Sequence, residues 1–283
     1  MADHHRRFVW YELITTDMAA AKIFYAKVLG WGAQDASTSD LAYTLFSVGE
    51  TPVSGLMDLP EHAQKLGATP RWMGYVGVDD IDATAERIKR LGGAVYVPPT
   101  DSNIGRVAVV ADPQAATLGL VEGLKPGQRQ RAEPGKPGRV GWHELLATDW
   151  QKAFAFYTEL FGWQRADVET GSVDAYQLFS TGGQILGDIC NKPSDEPVPF
   201  WICYFNVEDI EAATERVKAA GGLILAGPLE LPDGSLIARY KDPQGAPFAL
   251  QGKRSQTGIS WSTNWDGISS KGRLVTARRD VQS

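Results

Sequence analysis

The sequence predicts an α+β protein assembled from two similar halves, each a pair of βαβββ units, and three observations carry that prediction. The phrase FVWYELITTD at residues 8–17 returns as VGWHELLATD at 140–149. The stretches after each copy change from alternating to helical hydrophobic period at matching places. Between the halves, LKPGQRQRAEPGKPG is rich in proline, glycine and charge and has no hydrophobic period, so it reads as a linker. The expected organisation is a first domain at 8–123, a linker at 124–138, a second domain at 139–252 and a tail at 253–283. The tail has no counterpart after the first half and reads as disordered or lying over the surface.

Each element follows from its residues in order. The opening phrases alternate like strands. After them, Ala21, Phe24, Tyr25, Val28 and Leu29 match Ala153, Phe156, Tyr157, Leu160 and Phe161. That spacing of i, i+3, i+4, i+7 and i+8 is one face of a helix. Asp17 and Asp149 are placed to cap its first turn, and Gly30 and Gly162 to stop it. LAYTLFSVGETPVSGLMDL and DAYQLFSTGGQILGDIC then each read as a hairpin about a Gly-containing turn. A second unit follows in each half: a strand, an acidic cap, a helix burying Ile81, Ile88 and Leu91 or Ile210, Val217 and Ala220, and a Gly-Gly stop. Two strands joined at an Asp-Pro-Gln turn, at Asp112 or Asp242, close each half.

Composition excludes several function classes. With 43% hydrophobic and 22% charged residues the chain can bury a full core. A formal net charge of −6 gives no concentrated basic face for nucleic acid or an anionic membrane. No apolar run approaches the roughly 20 residues of a membrane span, and MADHHRRF lacks the apolar core of a secretory signal. A cytoplasmic location is expected, with a small-molecule ligand as partner. The two cysteines, Cys190 and Cys203, lie in apolar stretches without CxxC spacing and read as buried free thiols.

The order strand, TD, helix ending FY…LGW or FY…FGW, VDDID or VEDIE opening a second helix, Gly-Gly stop and DPQ turn occurs twice. It resembles the vicinal oxygen chelate superfamily, which includes glyoxalase I, extradiol dioxygenases and bleomycin- and fosfomycin-resistance proteins. The resemblance implies two tandem glyoxalase-like domains. In each, two βαβββ modules would form a cupped eight-stranded mixed sheet around a cavity. Single-cup relatives commonly pair, so a linked pair implies a monomer with pseudo-dimeric halves, or a homodimer. The resemblance also implies one divalent metal held by His, Glu or Gln from the first strand of each module and from the closing strands.

At the corresponding positions stand Trp10 and Trp142, Met73 and Ile202, and Gly119 and Ala249. None is a ligand for a hard or borderline metal. No metal residue is therefore assigned, and the cofactor is left unknown. Strand alternation turns Glu12 and Glu144 toward the cups along with the two tryptophans. Each is a candidate catalytic base or acceptor for a polar ligand; each can equally be a structural carboxylate held by backbone amides or by an arginine such as Arg106 or Arg239. Trp10, Met73, Tyr75, Trp142, Ile202 and Tyr204 are the candidate ligand-binding surface, suited to a flat or apolar molecule; the same rings can equally fill a collapsed cup. Alternation turns Trp72 and Trp201 under the helices. It also points His143 away from the cup, as a solvent-facing or hydrogen-bonded structural histidine. His4 and His5 belong to a short N-terminus without an assigned role.

The expected function is a glyoxalase/bleomycin-resistance-like protein that binds a small aromatic or apolar molecule without the usual metal site. The alternative is an enzyme of the lyase or dioxygenase class, using atypical metal ligands or Glu/Tyr acid–base chemistry. A structural role with closed cups is a third reading.

Overall fold

The computed structural model describes residues 6–125, 135–166, 176–231 and 233–254. His4, His5, most of the expected linker and nearly all of the expected tail lie outside the described residues.

In the first half, β1 (Phe8–Thr15), α1 (Met18–Leu29), β2 (Gly32–Asp35), β3 (Tyr43–Val48) and β4 (Thr51–Asp58) make the first unit. The short α2 (Glu61–Lys65) leads into the second: β5 (Arg71–Gly77), α3 (Ile81–Arg90), β6 (Ala94–Asp101), β7 (Arg106–Ala111) and β8 (Thr117–Glu122). The second half repeats the plan with β9 (Val140–Ala147), α4 (Trp150–Phe161), β10 (Gln164–Ala166), β11 (Tyr176–Thr181) and β12 (Gln184–Asn191). It closes with β13 (Phe200–Asp209), α5 (Ile210–Ala219), β14 (Leu223–Glu230), β15 (Leu236–Lys241) and β16 (Pro247–Lys253). Only α2 has no forerunner in the sequence pattern; it buries no side chain, so it leaves no hydrophobic period to read.

The helix ends form as their residues require. Asp17, Asp80, Asp149 and Asp209 each accept a hydrogen bond from the backbone N–H three residues on. Gly30 and Gly162 adopt φ of 70° and 71°, and their N–H groups bond Ala26 O and Thr158 O.

Each half forms one eight-stranded mixed sheet, in the orders β2-β3-β4-β1-β5-β8-β7-β6 and β10-β11-β12-β9-β13-β16-β15-β14. The first strand of each half is central, parallel to β4 or β12 and antiparallel to β5 or β13. One face of each sheet carries Trp10 and Glu12, or Trp142 and Glu144, and is called here cup 1 or cup 2.

The opposite faces build two cores, and neither core belongs to one half. The first joins Leu13, Phe24, Tyr25 and Val28 to Phe205, Val217, Tyr240 and Phe248. The second joins Val76, Ile81, Ile88 and Leu120 to Leu145, Phe156, Tyr157 and Trp201. Each helix-face residue at about 25 cal/mol per Å² therefore stabilises both halves at once.

Reciprocal polar clasps fix this arrangement. Tyr25 OH donates to Asp242 Oδ2 at 3.1 Å, and Tyr157 OH to Asp112 Oδ2 at 3.3 Å. Trp72 Nε1 and Trp201 Nε1 donate back to those two hydroxyls. The other oxygen of each aspartate holds its own Asp-Pro-Gln turn through two backbone N–H groups. Trp31 Nε1 donates to Gly138 O, and Trp163 Nε1 to Arg6 O, so each GW tryptophan ties down the chain entering the other half.

His143 lies on this side of the sheet, as alternation requires, but solvent does not reach it. It sits at the seam, its ring 4.1 Å from that of Phe8 and stacked on it. Nδ1 is 2.7 Å from Leu186 O, a pure acceptor, so Nδ1 carries the proton. Nε2 then accepts from Tyr11 OH at 2.7 Å. Burial lowers the imidazole pKa from 6.5 to about 4, against the opposing Leu186 hydrogen bond, so the ring is neutral at physiological pH.

Candidate functional site

Cup 1 is built around one carboxylate. Register sets Trp10 opposite Tyr75 and Glu12 opposite both Met73 and Gly55. Tyr43, from β3, and Tyr75 each donate a hydroxyl hydrogen bond to Glu12, at 2.5 Å to Oε1 and Oε2 respectively. Trp10 Nε1 donates to the Tyr43 hydroxyl at 3.3 Å. Two glycines make room for this: a Cβ on Gly55 would lie 1.9 Å from Tyr43 OH, and one on Gly119 2.2 Å from the Tyr75 ring. Trp10, Glu12, Tyr43, Met73 and Tyr75 are all buried, with Ile104 and Val121 beside them. Burial raises the Glu12 carboxyl pKa, partly offset by its hydroxyl and indole donors, and among the described residues no cation is paired with it.

Cup 2 places a different network on the same scaffold. Tyr204 OH donates to Glu144 Oε2 at 2.7 Å. Arg239, from β15, forms an ion pair through Nη2 with Glu144 Oε1 and donates from Nε to Tyr204 OH at 3.2 Å. Trp142 Nε1 donates to Asp188 Oδ1 at 2.6 Å, and Cys190 Sγ lies 3.6 Å from Glu144 Oε1. Ile202, Leu146, Ile237 and Ala249 supply the apolar floor. The Asp188 carboxyl is held well above the usual range by burial first and by the charge of Glu144 second. The Cys190 thiol is pushed up by burial and by the two carboxylates, so it is not a thiolate. Burial alone would lower the Arg239 pKa, and Glu144, Tyr204 and Cys190 together more than reverse that.

The candidate residues therefore gather as two constellations: Trp10, Glu12, Met73 and Tyr75 in cup 1, and Trp142, Glu144, Ile202 and Tyr204 in cup 2. Three expectations are corrected. Arg106 does not reach Glu12; Val107 and Val109 face the cup, and Arg106 on the other parity pairs with Asp82 at the surface. Cys190 is not a buried bystander but half-buried beside Glu144, whereas Cys203 is buried and free as expected. Potential metal donors are not absent from cup 2, because ligand atoms of Glu144, Asp188 and Cys190 lie within 4.8 Å of one another.

Tyr43, Asp188 and Cys190 were not singled out from the sequence as site residues. The glycines Gly55 and Gly187 are not equivalent: register equates Gly55 with Asp188, and a slip of one residue exchanges the faces.

These residues do not fit the family's metal. In cup 1 the Glu12 carboxylate is satisfied by two hydroxyls and, among the described residues, lacks companion ligands. In cup 2 Glu144 is already paired with a guanidinium, and burial disfavours the ionised, ligating forms of Asp188 and Cys190.

The sheets, the repeated unit and the paired cups are those of the glyoxalase fold, and the chain belongs to the Glyoxalase/Bleomycin resistance protein/Dioxygenase superfamily, whose description matches residues 7–118 and 139–250. Among its relatives, the "Putative glyoxylase CFP32" of Mycobacterium tuberculosis is 31% identical over 245 residues, covering 85% of this chain and 92% of that protein. The "Anthracycline biosynthesis protein DnrV" of Streptomyces peucetius is 29% identical over 163 residues, 51% of this chain and 58% of that protein. The fold is shared with the Mn(II)-bound glyoxalase from Novosphingobium aromaticivorans, with TM-score 0.62 and 17% identity, over 89% of this chain and 83% of that one. It is shared as well with the 2,3-dioxygenase LapB from a Pseudomonas species, with TM-score 0.60 and 13% identity, over 88% and 92%. Among the described residues no helix is long and apolar enough to cross a membrane.

Proposed function

We propose that cup 2 binds a small, flat, aromatic or apolar organic molecule that carries polar oxygens, without a metal, while cup 1 serves as a structural counterpart. One observation supports this reading above the others. The polar network of cup 2 is incompletely closed, with the Arg239 side chain 16% exposed and Trp142, Asp188 and Cys190 only partly buried, whereas the Glu12 network of cup 1 is buried and fully paired. An indole edge beside a few fixed polar atoms suits stacking together with oriented hydrogen bonds. The naming of relatives for anthracycline biosynthesis agrees with a polycyclic, oxygenated ligand. The shared cores support a pseudo-dimer within one chain.

The test is calorimetric titration with hydroxylated anthraquinones and smaller aromatic ketones. Binding of one molecule per chain is expected, weakened at least tenfold by Trp142→Leu and unchanged by Glu12→Gln. Binding that follows Glu12 instead, or no binding by any of these compounds, would count against the reading.

A second reading is favoured by the closeness of Asp188 to Glu144, with burial raising the Asp188 pKa: two acids in contact range can divide acid and base roles on a bound substrate. Chemical conversion of the bound molecule, lost in Asp188→Asn while binding remains, would select it.

A further inference from the structure

The Glu144, Asp188 and Cys190 donors come from β9 and β12, and their ligand atoms lie close enough to share one cation. Two carboxylates with a thiol would suit zinc or cobalt(II) once deprotonated. Yet a cation already sits on the set. Arg239 reaches in from β15, three strands from β9 and four from β12 across the sheet, and pairs with the same Glu144 oxygen that faces Cys190. Its Nε is committed to Tyr204 and its Nη2 to Glu144. Nη1 makes no hydrogen bond among the described residues, while the side chain remains partly exposed. In cup 1 the register equivalent is Val109, opposite Gly119 as Arg239 is opposite Ala249. There, among the described residues, no cation pairs with Glu12 and no further carboxylate, thiol or imidazole joins it as a metal-ligand group. The guanidinium and the extra donors thus occur together, in one cup only.

We infer that Arg239 is the built-in cation of cup 2: it occupies the donor set of Glu144, Asp188 and Cys190 that would otherwise hold a divalent ion, and it leaves Nη1 free for a carbonyl oxygen or oxyanion of the bound molecule. The site differs from the family's metal positions, which carry Trp142, Ile202 and Ala249 here. A guanidinium suits this place because it stays charged while buried and presents donors in a planar fork. It fixes a positive charge on the cup floor without metal supply and without proton release on loading. The part concerning the bound molecule rests on the proposed function; the part concerning the donor set does not.

The experiment titrates the full-length chain with cobalt(II) alone near pH 7.5, following the thiolate-to-cobalt charge-transfer absorption. Wild type is expected to show no such band. Arg239→Gln is expected to bind one cobalt(II) per chain at least tenfold more tightly than wild type, with the band present, and Arg239→Gln combined with Cys190→Ser to lose the band. Arg239→His, which keeps a polar side chain in place and adds a nitrogen donor, tests the same point should the Gln variant not fold. A band of equal strength in wild type would overturn the inference. So would a folded Arg239→Gln or Arg239→His protein that takes up no cobalt. Separately, Arg239→Gln should weaken binding of hydroxyanthraquinone at least tenfold; if cobalt uptake follows expectation and this does not, only the ligand assignment fails.

Discussion

The two cups share strand order, register and a central carboxylate, and they differ in how that carboxylate is satisfied. Glu12 is met by two tyrosine hydroxyls and, among the described residues, carries no counter-charge. Glu144 keeps one of those tyrosines, as Tyr204, and replaces the other with a guanidinium. The exchange involves few positions. Tyr43 corresponds to Tyr176, which is 37% exposed instead of buried. Gly55, whose missing Cβ admits the Tyr43 hydroxyl, corresponds to Asp188. Val109 corresponds to Arg239. The pairing teaches that a buried acid in this fold can be stabilised either by neutral donors, giving an uncharged, fully paired network, or by a charged partner, giving a polarised one. The second solution is costly to break and chemically more versatile.

The sharpest break of that contrast is Arg239→Ala, which leaves Glu144 buried with its partner gone. A loss of about 3–5 kcal/mol is expected by chemical denaturation. Replacing both partners, with Glu144→Gln and Arg239→Met, should recover most of it; a single variant as stable as wild type would show that the ion pair is not a structural tie.

Next in size is the seam that both cups lean on. His143 has its pKa lowered from 6.5 to about 4, which corresponds to about 3 kcal/mol. Between those values the unfolded chain binds the proton and the folded one does not. This stability is therefore complete above about pH 6.5 and is lost as pH falls toward 4. Denaturation midpoints at pH 7 and 4.5 should show a steep drop that His143→Gln flattens. A similar slope in both proteins would place the acid sensitivity elsewhere.

Cup 1 should respond more mildly. Glu12→Ala orphans two buried hydroxyls and is expected to cost about 2–3 kcal/mol. Glu12→Gln, which keeps an acceptor and a donor in place, should cost less than about 1 kcal/mol. Because the Glu12 pKa is raised by burial, its neutral form is the one the fold favours, and the stability this gives declines as pH rises through the folded value. The Gln variant should lose that decline. At the lower end, Arg106→Ala at the exposed Asp82 pair should leave the melting temperature unchanged within error.

Much of this architecture was legible in the sequence because helix and strand periods are local. The spacing of Phe24, Tyr25 and Val28 announces a buried face, and Asp17 and Gly30 mark its ends without any tertiary information. Parity alone turned Glu12, Trp10, Tyr75, Glu144, Trp142 and Tyr204 toward the cups. What stayed hidden is whatever depends on strands distant in sequence. Arg106 and Arg239 look alike beside a closing turn, yet only Arg239 has the parity to meet a glutamate. Asp188 was concealed by the one-residue offset between SGLM and LGDIC. The periodic face of α1 could not reveal that the surface it covers includes the other half of the chain.

That last arrangement has a consequence in time. Tyr25 of α1 finds its partner Asp242 only 217 residues later. At about 5–20 residues per second of synthesis, the first helix waits roughly 10–40 seconds on the ribosome before the groups it clasps exist. During that interval α1 and α3 cover part of the apolar side of the first sheet, but the surface that packs on Phe205, Val217, Tyr240 and Phe248 has no partner, so the nascent chain is a natural client for chaperones. Neither half expressed separately would be expected to remain in solution as a finished domain.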